Sequence, residues 1–199
     1  MIDRIIGALT FRTGVYKEVE EDTTFTPSAW MIVAAAALLS NLGSSAGSIH
    51  TIGARWIISA LSGTLVTVAS FALAAFVMNW AGKTFFNADV TYDELIRTIG
   101  LASVWNAVGF LGIIALAAPG LACITGPVTF LAAIAGLAAW FFAAKEALDL
   151  DWPQTIGAVI IGWVTMMLVA ALVSGIILSL LGVTAAGINS IFSNVSGSL

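Results

Sequence analysis

Charge is what this sequence has least of. Among 199 residues only 9% are Asp, Glu, Lys or Arg, as seven basic and eleven acidic side chains. Soluble domains carry about 25%, so these side chains cannot cover a water-exposed surface. One cysteine, Cys123, excludes an intrachain disulfide and a thiolate metal cluster. The one histidine, His50, has no second histidine or neighbouring carboxylate to complete a metal site. The basic residues stand singly and the formal net charge is −4. Nucleic acid is therefore not an expected partner, since binding it needs a clustered cationic face. GxSxG, HExxH, Walker and dinucleotide motifs are all missing. No catalytic residue, metal or cofactor is expected, and an enzyme is disfavoured. Met1–Leu9 includes Asp3 and lacks the long apolar core of a secretory signal.

Apolar residues are what the chain has in excess. They make up 60%, with a mean hydropathy of +1.04, far too much apolar surface for a disordered chain. The class that remains is an all-α polytopic membrane protein. A span needs about 20 apolar residues to cross about 30 Å of hydrocarbon. The charges divide the chain into five such blocks, at about 28–49, 56–81, 98–118, 126–144 and 155–181. Thr26-Pro27-Ser28 opens the first, with Thr26 placed to cap and Pro27 at the first helical position. Gly82–Val90 reads as a polar connection, after which Thr91 and Glu94 have the spacing of a capping box. No charge occurs from Thr98 to Ala144, and Pro119-Gly120 with Gly126-Pro127 divides that stretch into two spans. Asp151-Trp152-Pro153-Gln154 starts the fifth.

Five crossings put the termini on opposite sides. Arg4, Arg12, Lys17, Lys83, Arg97 and Lys145 share one side and Arg55 stands alone on the other. Basic residues favour the cytoplasmic side. A plasma-membrane protein with its N-terminus inside and C-terminus outside is expected. All acidic residues fall on the inner side as well. Trp30, Trp80, Trp140 and Trp152 fall at inner ends of spans and Trp56 at an outer end, whereas Trp105 and Trp163 fall within helices.

Three regions follow. Residues 1–25 form a cytoplasmic segment in which Ile2, Ile5, Ile6 and Leu9, then Phe11, Val15 and Val19, repeat at helical spacing. This is the pattern of an amphipathic helix lying in the interface. Residues 26–182 form the five-helix bundle. Residues 183–199 form an outer tail with a weaker stripe at Ile188, Ile191, Phe192 and Val195.

The spans contain no ionisable residue near their centres, so polar amides are the next candidates. Asn41, Asn79 and Asn106 can hold helices together by hydrogen bonds. Asn106, beside Trp105, can also line a cavity. Small residues at four-residue spacing, such as Ser59 with Gly63 and Ala158 with Gly162, permit close helix contact. They signal packing and no particular partner; a homo-oligomer stays admissible beside the other partners. The one constellation with several members is cytoplasmic. Asp93, Glu94 and Arg97 lead into span three, and Lys145, Glu146, Asp149 and Asp151 bridge spans four and five. Asp149 and Asp151 lack the further oxygens of a calcium loop.

The run Ile5–Glu20 (IIGALTFRTGVYKEVE), the lead-in Tyr92–Ala102 (YDELIRTIGLA) and Lys145–Asp149 (KEALD) resemble prokaryotic members of the Yip1 family, over about residues 2 to 182. The resemblance implies a five-helix layout with a cytoplasmic N-terminus. In eukaryotes it implies contact with prenylated Rab GTPases and a part in vesicle traffic. Thr26-Pro27-Ser28-Ala29-Trp30 stands where eukaryotic relatives have Asp-Leu-Tyr-Gly-Pro, and Trp105-Asn106 where many have a proline. These departures suit a prokaryotic protein without a Rab.

Two functions are expected. The first is non-enzymatic membrane organisation or partner recruitment through the cytoplasmic face. Arg12, Tyr16, Arg97, Lys145, Glu146 and Asp149 would be the contact residues, with lipids and cytoplasmic proteins as partners. The alternative is a small transporter, channel or lipid-translocating protein with a polar cavity lined by Asn79, Asn106 and hydroxyl side chains.

Overall fold

Five stretches of helix are long and apolar enough to span a bilayer: Thr23–Ser44, Trp56–Phe86, Tyr92–Leu116, Cys123–Leu148 and Trp152–Val173. They are seen in a computed structural model that describes residues 1–12, 14–46 and 55–180. No strand occurs among the described residues. His50, the side chain of Arg55 and the tail stripe from Ile188 to Val195 lie outside them.

Two short helices precede the spans, α1 (Ile2–Leu9) and α2 (Val15–Glu21). A 3-10 turn, Thr23–Phe25, then leads into α3 (Thr26–Ser44). The cap here is one turn earlier than Thr26. Asp22 accepts from the Thr24 amide at 3.0 Å and the Thr24 hydroxyl at 2.6 Å, which leaves Thr26 free for another partner. Pro27 sits in the first turn of α3, where its missing N–H costs nothing.

The second spanning helix, α4 (Arg55–Phe86), has 32 residues, about 48 Å at 1.5 Å per residue. That exceeds the hydrocarbon thickness by about 18 Å. Its last turns replace the polar connection expected from Gly82 onward. Asn87, at φ 53°, closes the helix in a left-handed conformation that Asn tolerates. The Asn79 amide donates to the Val90 carbonyl at 3.1 Å and pins the connection that follows.

Span three is not one regular helix. It begins as α5 (Tyr92–Ala102), opened by the capping box. Thr91 Oγ1 accepts from the Glu94 amide at 3.3 Å, and Glu94 Oε2 accepts from the Thr91 amide at 2.6 Å. It then tightens into an eight-residue 3-10 helix, Ser103–Phe110, before α6 (Leu111–Ala117). 3-10 runs longer than about 3–4 residues are uncommon. The cause here is close backbone packing. A Cβ on Gly43 of α3 would collide with the Gly109 carbonyl, and one on Gly112 with the Gly43 carbonyl. The chain breaks at Pro119–Leu121 and resumes as α7 (Ala122–Leu148), which carries Pro127 internally. The break thus falls at Pro119-Gly120 and not at Gly126-Pro127. Asp149, left-handed at φ 49°, ends α7, and α8 (Trp152–Leu180) follows.

Inside the bundle, polar side chains bridge helices as lipid requires. Asn41 Nδ2 donates to Thr67 Oγ1 at 3.2 Å, and its carboxamide occupies the notch left by Gly63. The densest packing, however, is at one end. Val15, Val19, Val90, Leu95, Ile96, Ile99, Leu101 and Leu148 are all fully buried there. Along the spans, Leu65, Phe130 and Leu172 are exposed, as helices bathed in lipid should be. Trp140 also departs from the interfacial belt expected of it. It is buried, with Phe71 and Trp163 as edge-to-face neighbours at 6.2 and 6.5 Å.

Candidate functional site

The densely packed end is also the charged end, and α1 and α2 lie across it. Among the described residues of the turn between them, Phe11 at φ 52° and Gly14 at φ 83° are left-handed. Glycine adopts this freely, whereas a phenylalanine there is strained. The Phe11 ring offsets the strain by packing between Trp105, tilted at 5.6 Å, and Phe142, edge-on at 6.2 Å. Val15 and Val19 turn inward and are completely buried.

Ion pairs brace the two helices. Arg4 donates to Glu18 at 3.0 Å and to Asp22 at 2.7 Å, and Arg12 donates to Glu18 at 3.0 Å. All are partly solvated, so each contributes about 0–1 kcal/mol. The hydrogen bond from the Thr24 hydroxyl and the Arg4 guanidinium hold the Asp22 carboxyl down at about 2.

Beneath them lies Arg97, only 4% exposed. Its Nε donates to the carbonyls of Val19 at 3.0 Å and Glu20 at 3.1 Å. Its Nη2 donates to the same Glu20 carbonyl, and its Nη1 to Thr26 Oγ1 at 3.3 Å. Those carbonyls belong to the last turn of α2, where the helix dipole is negative and backbone acceptors lack helical partners. One guanidinium thus joins α5 to the end of α2 and the start of α3. Arg97 was expected on the contact surface. The structure places it under that surface, where Nε, Nη1 and Nη2 each donate to groups inside the protein.

Of the other expected contact residues, Arg12, Tyr16, Lys145 and Glu146 come together in one cleft of about 330 Å³. Phe11, Phe142 and Trp152 supply its apolar wall, with Gly14 at the turn. Phe142 and Trp152 meet edge-to-face at 5.7 Å, and Lys145 Nζ lies 5.6 Å from the Trp152 ring centroid. Tyr16 is 5% exposed, and its hydroxyl is buried with no hydrogen-bond partner among the described residues. That burial pushes the phenol up to about 12. Asp149 is exposed and lies outside the cleft. With Glu94 and Glu146 it acts on Glu20, whose carboxyl is raised to about 7 by burial first and by these neighbours second. Among the described residues no group of three or more His, Cys, Asp or Glu is placed to hold a metal ion.

The two intramembrane amides separate. Asn79 is spent on the Val90 carbonyl. Asn106 is exposed and lines a cavity of about 230 Å³ between the spans, together with Thr67, Ser103, Trp140 and Trp163. Sequence reasoning missed the aromatic wall of the cleft and the carbonyl partners of Arg97. Phe11 lay hidden in an apolar stripe, and a backbone acceptor leaves no trace in residue type.

Neither the curated proteins nor the solved structures searched contain a match. The family model of the Yip1 domain matches residues 6–174, most of the chain, from α1 into α8. That range takes in the second half of α1, the Arg97 anchorage, the cleft and all five spanning helices, and the chain is an integral membrane protein that belongs to the Yip1 family.

Proposed function

We propose that this protein is a non-enzymatic membrane organiser or recruiter that works through its charged end, held on the cytoplasmic side. The six-to-one division of basic residues supports that orientation. One observation carries the reading. Arg97 locks the end of α2 to the bundle, and Arg4 ties α1 to α2 through Glu18 and Asp22, so the segment is a fixed surface with Arg12, Lys145 and Glu146 in one cleft. A segment serving only as a tether would not need a buried guanidinium to hold it. The test is co-purification from mild detergent with Arg12→Glu and Lys145→Glu combined. The variant should insert and melt like the parent while losing its partners. Retention of every partner overturns the proposal.

The cavity at Asn106 favours a second reading, passage of a small polar solute or a lipid headgroup between the spans. Flux or lipid exchange in liposomes, abolished by Asn106→Leu, would support it. Absence of any exchange by the parent protein would remove it.

A further inference from the structure

We infer that the cleft between the α1–α2 turn and the facing ends of α7 and α8 binds the phosphodiester of an anionic phospholipid. The inference rests on the reading that this face is the working one, and it names one ligand for it.

Charge is the first argument. The cleft is lined by two cations, Arg12 and Lys145, and one carboxylate, Glu146, with Glu18 paired to Arg12 at its edge. An anion entering the cleft meets Lys145 and those Arg12 N–H groups that Glu18 leaves unused. Arg12 already shares its guanidinium with Glu18 at 3.0 Å, both half-exposed, which leaves further N–H donors facing water. Lys145 makes no ion pair among the described residues and rests over Trp152. The two cations can therefore take the non-bridging oxygens of one phosphate.

The second argument is the unmatched hydroxyl. Tyr16 lines this cleft and is 95% buried, yet its O–H has no acceptor among the described residues. Buried polar groups are almost always paired; the Tyr16 oxygen is closed off behind the cleft wall, so an acceptor from outside the chain reaches it only by parting that wall. A phosphate oxygen is such an acceptor.

The third argument is the wall itself. Phe11, Phe142 and Trp152 are all more than a third exposed, which is costly in water and suits contact with glycerol and upper acyl carbons. Trp152 opens the fifth spanning helix and Phe142 lies within two turns of the end of the fourth, where aromatic rings favour the headgroup level. Ile2, Ile6 and Leu9 of α1 are exposed as well. A free anion would need none of this.

The experiment is native mass spectrometry of the full chain in detergent, titrated separately with dioleoyl-phosphatidylglycerol, dioleoyl-phosphatidylcholine and inorganic phosphate. One phosphatidylglycerol should be retained at least tenfold more tightly than phosphatidylcholine. Arg12→Gln with Lys145→Gln should weaken it at least tenfold, whereas Lys83→Gln, a charge lost at the same end outside the cleft, should not. Tyr16→Phe should weaken it severalfold while melting at or above the parent temperature, an outcome that a structural role for the hydroxyl would not produce. Equal retention of the two lipids overturns the inference, as does full retention by the double variant. Inorganic phosphate displacing the lipid and binding equally well would reassign the cleft to a free anion. Loss of lipid preference with co-purification still dependent on Arg12 and Lys145 would end this inference and leave the recruiting role standing.

Discussion

At the scale of single residues, Arg97 has the largest consequence. Four hydrogen bonds from a buried guanidinium reach two backbone carbonyls and a hydroxyl on other elements. Arg97→Met should cost about 3 kcal/mol or more, because buried acceptors on α2 are left unpaired. Thermal unfolding in detergent checks the size, and limited proteolysis should show cleavage moving to residues near α1 and α2. Arg97→Lys should rescue little, since one ammonium cannot reach the same fork of acceptors. Glu20 makes the complementary prediction. Its folded value of about 7 lies above the usual carboxyl range, so the folded state holds the proton more tightly than the unfolded chain. The stability this contributes is present in acid and is lost as pH rises from about 4.5 toward about 7. Glu20→Gln should therefore melt higher than the parent at pH 8 and close to it at pH 5. A gap of the same size at both values would contradict the assignment. Asp22 runs the other way. Its lowered value means stability held above the ordinary carboxyl range and lost as pH falls toward about 2.

At the scale of elements, hydropathy made the five spans legible, since a bilayer imposes length and apolarity on any crossing helix. The capping box at Thr91 and Glu94 was legible for the same kind of reason, because it is a local pairing of fixed spacing. The 3-10 run Ser103–Phe110 was not. Its residues are as apolar as a regular span, and its tightening comes from Gly43 on a distant helix. Gly109→Leu should accordingly cost about 1–3 kcal/mol through a forced shift of α3. Gly120→Ala, with open space around the new carbon, should stay within about 0.5 kcal/mol of the parent. The charged residues of the cleft were legible because charges in such a chain collect at helix ends. Their convergence depends on the Phe11–Gly14 turn and could not be read from spacing. For α1 the expected stripe divides. Ile5 packs inward while Ile2 and Ile6 stay exposed. If that outer row rides in the headgroup layer, Ile2→Glu with Ile6→Glu should raise hydrogen exchange over residues 2–9 in nanodiscs without lowering the melting point. Unchanged exchange would mean that α1 already stands in water.

At the scale of the whole molecule, packing is distributed unevenly along the membrane normal. Lipid gives apolar helices little reason to associate, and the spans accordingly leave large side chains such as Leu65 and Phe130 on the outside. Where the helix ends meet water, burial is worth about 25 cal/mol per Å², and that is where the fully buried side chains gather. The charged end thus behaves like a small soluble domain fused to a lipid-facing bundle. Its rigidity is the basis of the recruiting role proposed for it. This arrangement requires that the chain cross an odd number of times, with the charged end and the Pro119–Cys123 turn on opposite faces. The single natural cysteine allows a direct test. A membrane-impermeant thiol reagent added to intact cells should label Cys123, which is exposed. In a Cys123→Ser background, D149C should be labelled only after the membrane is opened. Labelling of both positions from the same side of an intact membrane would contradict the account.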